Sequence, residues 1–229
     1  MATDALMNTY GTPSIALVKG EGVWLWDAQG NKYLDALSGI AVCGLGHSHP
    51  SVAKAVAEQA GLLTHCSNYF SIPNQETLAD KLCTASGMSN VFFGNSGAEA
   101  NEAALKIARL HGHKKGIKLP TILVMDNAFH GRTLATLSAS GGRRVQAGFE
   151  PLVRGFARAP FNDMESLKIV ADNNTDICAI LVEPIQGEGG VRLASTGYLK
   201  QLREFCDQRG WLLMLDEVQT GNGRTGKYF

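Results

Sequence analysis

Continuous apolar runs alternate with amphipathic stretches through the second half of the chain. The longer runs are residues 121–125, 177–182 and 211–215, and a short run covers residues 90–93. A continuous apolar run bounded by polar turn residues is typical of a strand buried on both faces of a parallel sheet. Helical periodicity separates these runs, at roughly residues 75–86, 98–111 and 197–209. The alternation predicts βαβ units, and therefore an α/β fold whose mostly parallel sheet is covered by helices.

The first 65 residues contain shorter periodic segments. Residues 23–27 and 32–37 are rich in aromatic and β-branched side chains and flank a Gly/Asn turn, a pattern that predicts a β-hairpin. A proline at the first turn suits a helix over about residues 51–63. Beyond that helix the periodicity is lost. We therefore predict two domains, residues 1–65 and residues 66–229.

Composition and charge restrict which kinds of molecule the protein is expected to bind. Lys plus Arg and Asp plus Glu number 21 each, so no net charge favours nucleic acid or an anionic membrane. No apolar stretch approaches the length of a membrane span, and the N-terminus lacks the pattern of a signal sequence. The five cysteines are scattered without CxxC spacing, which argues against a disulfide framework and against a zinc site. We expect a soluble cytoplasmic protein without a metal site.

Asp216 is the single most informative position, because it follows the apolar run 211–215 directly. In open α/β sheets, ligands bind just beyond the carboxyl ends of the strands, so Asp216 is predicted to lie at a ligand site. A buried aspartate stays ionised only beside a cationic or hydrogen-bonding partner, and a protonated pyridine nitrogen is one such partner. The alternative is a strand-end aspartate that caps the next turn.

Residues 92–102 join a predicted strand to a helix through small side chains. Ser96, Gly97 and Ala98 allow backbone N–H groups to approach a ligand closely, and the helix directs its unpaired amides to the same point. This pattern predicts a phosphate site that lacks both the P-loop lysine and the GxGxxG pattern of dinucleotide sites. The alternative is an ordinary helix start, with Ser96 as N-cap and Glu99 as its capping-box partner. The two interpretations are compatible.

Two further loops follow predicted strands and contain candidate ligand-binding side chains. Phe129 offers an aromatic face to a planar ring, and Arg132 offers a rigid guanidinium to a carboxylate. Glu183 ends a strand, and Glu188 lies in the glycine-rich loop behind it. Each has a simpler alternative: core packing for Phe129, a hydrogen-bonded structural role for His130, and solvation for Glu188. With the phosphate site and the strand-end aspartate, these side chains suit pyridoxal 5′-phosphate (PLP) and a carboxylate-bearing substrate.

Five motifs in this order resemble those of the class III aminotransferases, which are PLP-dependent enzymes of fold type I. The motifs are GLGHSHP (44–50), FFGNSGAEANEAALKIAR (92–109), NAFHGRT (127–133), VEPIQGEGGV (182–191) and DEVQTGNGRTG (216–226). The resemblance is closest to acetylornithine/succinyldiaminopimelate aminotransferases and extends from about residue 10 to the last residue. It implies a large PLP-binding domain with a mostly parallel sheet, incomplete here in residues 66–229. It also implies the N-terminal part of a smaller α+β domain in residues 1–65, and a homodimer.

The resemblance also implies a role for each matching position. The implied cofactor contacts are Ser96, Gly97 and Ala98 at the phosphate, Phe129 stacked on the ring with His130 beside it, Asp216 at the ring nitrogen, Val218 on the opposite face, and Gln219 on the hydroxyl side. Glu183 is implied as a supporting carboxylate, and with Asp216 it forms the predicted catalytic pair. The implied substrate contacts are Arg132 at the α-carboxylate, Glu188 as the acid that masks a second arginine, and Tyr10 and Ile40 in the pocket.

One family feature has no counterpart in this sequence. The lysine that bonds covalently to PLP lies in a Ser/Thr-Lys-Ala-Leu-Gly-Gly-Gly-like segment well beyond DEVQTG, and none of the eleven lysines here lies in such a segment. The second substrate arginine is also missing. We therefore expect the chain to be the N-terminal portion of a longer enzyme and inactive alone.

These observations lead to one preferred interpretation and several alternatives. We interpret the chain as part of an enzyme of arginine biosynthesis that transfers the δ-amino group of N-acetylornithine to 2-oxoglutarate, which becomes glutamate. Ornithine aminotransferases have a tyrosine at the position of Ile40 and a tryptophan at that of His130, which favours the acetylornithine type. The alternatives are an ornithine, succinylornithine or γ-aminobutyrate aminotransferase, or a non-catalytic PLP-binding or pairing module of a split enzyme. An NAD-dependent dehydrogenase suits the sheet pattern but its glycine fingerprint is missing.

Overall fold

The computed structural model of the protein describes residues 5–229, which divide into two compact units on either side of Leu78 and Ala79. In the first unit, a three-stranded antiparallel sheet has the order β1-β2-β3. Its strands and the helices that follow are β1 Leu17–Glu21, β2 Trp24–Asp27, β3 Lys32–Leu34, the short α1 Ser38–Ala41, α2 Pro50–Leu62 and α3 Pro73–Ser86. Helix α3 spans the boundary between the units. The predicted hairpin and the helix after it are confirmed, whereas the domain boundary at residues 65 and 66 stays a prediction.

The second unit alternates helices and strands as the apolar pattern predicts. Its elements are α4 Gly97–Lys114, β4 Thr121–Met125, α5 Leu134–Ala139, α6 Arg143–Gln146, β5 Phe156–Ala159, α7 Met164–Asp172, β6 Ile177–Val182, β7 Ile185–Gln186, β8 Arg192–Leu193, α8 Tyr198–Arg209 and β9 Leu212–Leu215. Strands β4, β5, β6 and β9 form one parallel sheet in the order β5-β4-β6-β9. Strands β7 and β8 form a separate small antiparallel pair. The α/β fold with a mostly parallel sheet is confirmed.

Helices cover both faces of this sheet. Every residue of β4 and β6 is buried, because alternate side chains of a central strand enter opposite core layers. One layer packs against α7 and α8 and contains Leu123, Met125, Ile180, Val182, Leu167 and Leu202. The other packs against α4 and contains Ile122, Val124, Ala179, Leu181, Leu105 and Ala108. The two central strands therefore end in a rigid edge that positions the loops after them.

Two strand predictions are wrong. Residues 90–93 form no strand in the described chain, and Phe92 is 70% exposed. A strand needs a hydrogen-bonded neighbour, and the four strands of the parallel sheet pair only with one another. The apolar pattern predicts that strand β9 is buried on both faces, but it lies at the sheet edge, with Leu215 45% exposed. The same pattern does not predict strand β5.

The structure also bears on membranes and metals. Between residues 5 and 229, every helix is too short or too polar to cross a bilayer. The same residues contain no cluster of three or more His, Cys, Asp or Glu side chains that suits a metal ion.

Candidate active site

The loops after β4, β6 and β9 meet the first turns of α4 at the carboxyl edge of the sheet. Hydrogen bonds connect His130 and Asp216, Asn101 and Asp216, and Phe129 and Glu183. The residues of these pairs lie between 54 and 115 positions apart in sequence. The strand-end residues that the sequence predicts to lie together are therefore in contact.

Asp216 lies at the centre of this edge, 7% exposed, with both carboxylate oxygens hydrogen-bonded. Its Oδ2 accepts from His130 Nδ1 at 2.7 Å and from Asn101 Nδ2 at 2.8 Å, and its Oδ1 accepts from the Val218 N–H at 3.1 Å. Burial by itself would raise the pKa of Asp216, but these hydrogen bonds and the nearby His130 outweigh it and lower that pKa. The carboxylate is therefore ionised, and Oδ1, which has one donor, has the capacity to accept another.

His130 acts on Asp216 through its ring. Because the ionised carboxylate only accepts, the proton on this side of the imidazole is on Nδ1. The opposite atom, Nε2, is buried without a hydrogen-bond partner among the described residues. The hydrogen-bonded histidine that the sequence offers as an alternative is the arrangement observed, and direct contact of His130 with the cofactor stays a prediction.

Glu183 supports the loop after β4. Its Oε2 accepts a hydrogen bond of 3.0 Å from the Phe129 N–H, which holds the aromatic residue at the site. Burial raises the pKa of Glu183 to about 6, and the Phe129 N–H opposes this rise only in part. Glu183 therefore titrates closer to neutral pH than Asp216, although both carboxylates follow strands of the same parallel sheet.

The start of α4 has the geometry of an anion cradle. Ser96 Oγ accepts from the Glu99 N–H at 3.2 Å, so Ser96 is the N-cap. Glu99 Oε2 accepts from the Asn95 N–H at 2.6 Å, one residue before the N–H that a capping box would use. The amides of Gly97 and Ala98 lie in the first turn, where a helix has no acceptors for them. A Cβ on Gly97 would lie 2.8 Å from Val218 Cγ1, so this close approach requires glycine. Ser96 is confirmed as the N-cap, and the amides of Gly97 and Ala98 are left for an anion.

The loop after β9 packs against the loop after β6. A Cβ on Gly187 would lie 2.4 Å from Gln219 Oε1, so Gln219 lies directly on the glycine backbone. Glu188 is next to this contact and is exposed. Position 187 therefore has no space for a larger residue while Gln219 keeps this orientation.

The predicted substrate residues Arg132, Glu188, Tyr10 and Ile40 all have exposed side chains. The Arg132 guanidinium lies 5.6 Å from the centroid of the Phe129 ring, a cation–π contact at an exposed position. Tyr10 and Ile40 belong to the first unit and are 82% and 63% exposed. Ile40 has a φ of 57°, unusual for a β-branched residue. Their roles, like the other assigned roles, stay predictions.

Asn101 is a site residue that the sequence interpretation missed. It lies on the buried face of α4 with Leu105, Ala108 and Gly112. The signal available from sequence was a polar side chain at a position where the helical period predicts a buried one.

These features suit one type of ligand. The two free amides at a helix N-terminus suit a phosphate, and the buried, ionised Asp216 suits a cationic ring nitrogen. On a parallel sheet with helices on both faces, this combination defines the PLP-dependent enzymes of fold type I.

Comparison with known proteins places the chain within that class. Residues 6–229 match the model of the aminotransferase class-III family, and the chain belongs to this family. It is 62% identical over 224 residues to the acetylornithine aminotransferase of Nitrosomonas europaea, covering 98% of this chain and 57% of that protein. It is 48% identical over 227 residues to acetylornithine aminotransferase 1 of Bordetella parapertussis, covering 99% and 58%. The chain thus spans a little under three fifths of the length of these relatives.

Solved structures show the same fold. The ornithine aminotransferase of Toxoplasma gondii ME49 matches with a TM-score of 0.93 at 35% identity, over 98% of this chain and 54% of that one. The N-acetylornithine aminotransferase of Stenotrophomonas maltophilia K279a matches with a TM-score of 0.82 at 40% identity, over 97% and 56%. The PLP-dependent transferase fold expected from the sequence motifs is confirmed.

Proposed function

We propose that the full-length protein containing this chain transfers the δ-amino group of N-acetylornithine to 2-oxoglutarate with PLP, as a step of arginine biosynthesis. The relatives named acetylornithine aminotransferase, at 62% and 48% identity, support this choice of substrates. The observation on which the proposal depends most is the buried, ionised Asp216 at the edge of the sheet. The expected homodimer and cytoplasmic location accompany this proposal as predictions.

PLP, when bound, supplies an electron-accepting ring for the carbon that loses its proton. Asp216 holds a proton on the ring nitrogen, and its negative charge stabilises the cationic ring. The amides of Gly97 and Ala98 bind the phosphate, and the Phe129 ring and Val218 pack on the two faces of the cofactor. Ser96, which caps α4, fixes these amides.

We assign the substrate contacts mainly to exposed side chains. Arg132 orients the α-carboxylate through a paired guanidinium contact, and Gln219 lies on the hydroxyl side of the ring. Glu188 is the exposed acid that adapts the pocket to 2-oxoglutarate. Tyr10 and Ile40 line the substrate pocket in this proposal.

We further propose that the lysine that bonds to PLP is none of the eleven lysines in this chain. The proposal is tested on the full-length protein by reduction with borohydride in the presence of PLP, followed by peptide mapping. A reduced PLP adduct on a lysine of residues 1–229 would refute it. An adduct outside these residues is expected.

The substrate proposal is tested by steady-state kinetics of glutamate formation from 2-oxoglutarate. N-acetylornithine is expected to exceed ornithine and γ-aminobutyrate in kcat/KM by about tenfold or more, since one well-placed polar contact supplies that discrimination. Succinylornithine is the closest competitor and is compared in the same preparation. A preference for ornithine would support a second candidate function, which the TM-score of 0.93 with the Toxoplasma gondii enzyme favours. PLP binding without turnover of any donor would indicate a non-catalytic PLP-binding module.

A further inference from the structure

We propose that Asn101 is a positioning residue for Asp216, which directs one carboxylate oxygen of Asp216 toward the cofactor ring nitrogen. This proposal rests on the proposed PLP chemistry and adds a residue to it. Asn101 is buried on α4, and its Nδ2 lies 2.8 Å from Asp216 Oδ2 and 2.9 Å from the carbonyl oxygen of His130.

The orientation of the Asn101 amide follows from its two neighbours. A carboxylate and a backbone carbonyl both only accept, so the NH₂ group, and not the carbonyl oxygen of the side chain, must face them. Its two hydrogens are therefore both used, one for each acceptor. Asn101 thus connects the loop after β9 with the loop after β4.

The two oxygens of Asp216 have different surroundings as a result. Oδ2 accepts from both Asn101 and His130, whereas Oδ1 accepts only from the Val218 N–H. Two donors on Oδ2 hold the plane of the carboxylate and leave Oδ1 as the oxygen with capacity for another donor. Without Asn101, Oδ2 would keep only the His130 contact and Oδ1 only the Val218 N–H, so the carboxylate would be held less firmly.

Asn101 and the phosphate-binding amides lie on the same helix, α4. The phosphate-binding amides begin at Gly97, and four residues of helical rise place Asn101 about 6 Å further along the axis. One rigid helix therefore positions the groups for the phosphate and, through Asn101, the carboxylate for the ring nitrogen. A simpler role, in which Asn101 only satisfies the buried His130 carbonyl, predicts an effect on stability and none on the ring nitrogen.

The test compares Asn101→Ala and Asn101→Leu with a matched control, Leu105→Ala, in the full-length protein. Leucine matches asparagine in shape and lacks donors, so it keeps the packing while both hydrogen bonds are lost. Leu105 is buried one turn after Asn101 on the same face of α4, and it belongs to the core layer between α4 and the sheet. The measurements are the thermal midpoint and the nitrogen-15 chemical shift of labelled PLP as a function of pH.

Both Asn101 variants are expected to lower the pKa of the ring nitrogen by about one unit and kcat by about tenfold or more, with KM changed far less. Leu105→Ala is expected to lower the thermal midpoint and leave the nitrogen resonance unchanged. An unchanged nitrogen resonance in both Asn101 variants would overturn the positioning role, as would loss of PLP binding in both while Leu105→Ala retains it. A parent protein that binds no PLP would instead overturn the proposed function, and this proposal with it.

Discussion

Replacement of Asp216 by Asn is the most direct test of the site. Asn has nearly the same shape, so the substitution removes the charge and leaves the packing. In the parent, all three hydrogen bonds at Asp216 point toward its oxygens. An amide has only one oxygen, so its NH₂ group must face either the Val218 N–H or the donors of His130 and Asn101. At least one donor is therefore left facing another donor in either orientation.

The size of the effect follows from these contacts. A buried donor without an acceptor costs about 1–3 kcal/mol, and this loss should appear as a lower free energy of unfolding. The loss of the negative charge beside the ring nitrogen acts mainly on the reaction. Removal of one electrostatic contact that strengthens in the transition state costs about 3–4 kcal/mol, which corresponds to a decrease in kcat of roughly 10²–10³-fold.

Steady-state kinetics and PLP titration of the full-length Asp216→Asn protein measure both effects. The matched control is Glu217→Gln, which removes a charge one residue away, at a side chain that accepts a hydrogen bond from Thr220 Oγ1. The control should keep kcat within about twofold, as is usual for substitutions away from such features. If Asp216→Asn retains activity within a few-fold of the parent, Asp216 is a structural turn residue and the cofactor assignment fails.

Three further substitutions test other parts of the site. Arg132→Lys should lower kcat/KM for N-acetylornithine by about tenfold or more and affect an amine without an α-carboxylate far less, because lysine cannot form the paired contact; equal losses would contradict this role. Gly97→Ala should raise the Kd for PLP about tenfold, because its methyl would lie 2.8 Å from Val218, and Val218→Ala in the same chain should recover most of the affinity in an equilibrium titration. Burial raises the pKa of Glu183 from 4.5 to about 6, so the folded state binds this proton more tightly than the unfolded state. The free energy of unfolding should therefore fall by about 2 kcal/mol as the pH rises from below the unfolded pKa through the folded pKa. Glu183→Gln should remove that part of the pH dependence in denaturant unfolding of the cofactor-free protein; an unchanged slope would place the titration elsewhere.

The central strands were predictable because both of their faces are buried. Residues 121–125 and 177–182 are apolar at nearly every position, and the observed strands have the same limits. Strand β5, with the sequence Phe-Ala-Arg-Ala, has too little apolar character to be recognised without its neighbour β4. The segment at residues 90–93 shows the opposite error, since its composition favours a strand but no neighbour pairs with it.

The candidate site was predictable to the extent that it follows strand ends. Asp216 and Glu183 end apolar runs, and that rule places both at one edge of the sheet. Their different pKa values were not predictable, because the difference depends on which donors face each carboxylate. The partnership of Asn101 with Asp216 spans 115 positions and depends on how α4 packs on the sheet, which no local pattern contains.

The long sequence separations within the site have a consequence for folding. The contacts of Asp216 with Asn101 and His130 close loops of 115 and 86 residues, so they form only after the sheet has been assembled. A ligand that binds these loops therefore binds the native state alone, and it stabilises that state by about 2.7 kcal/mol at a hundredfold excess over its Kd. Substitutions that weaken the core far from the site should then raise the amount of vitamin B6 that is needed for activity. Added vitamin B6 should restore part of the lost activity, although it does not bind at the substituted residue.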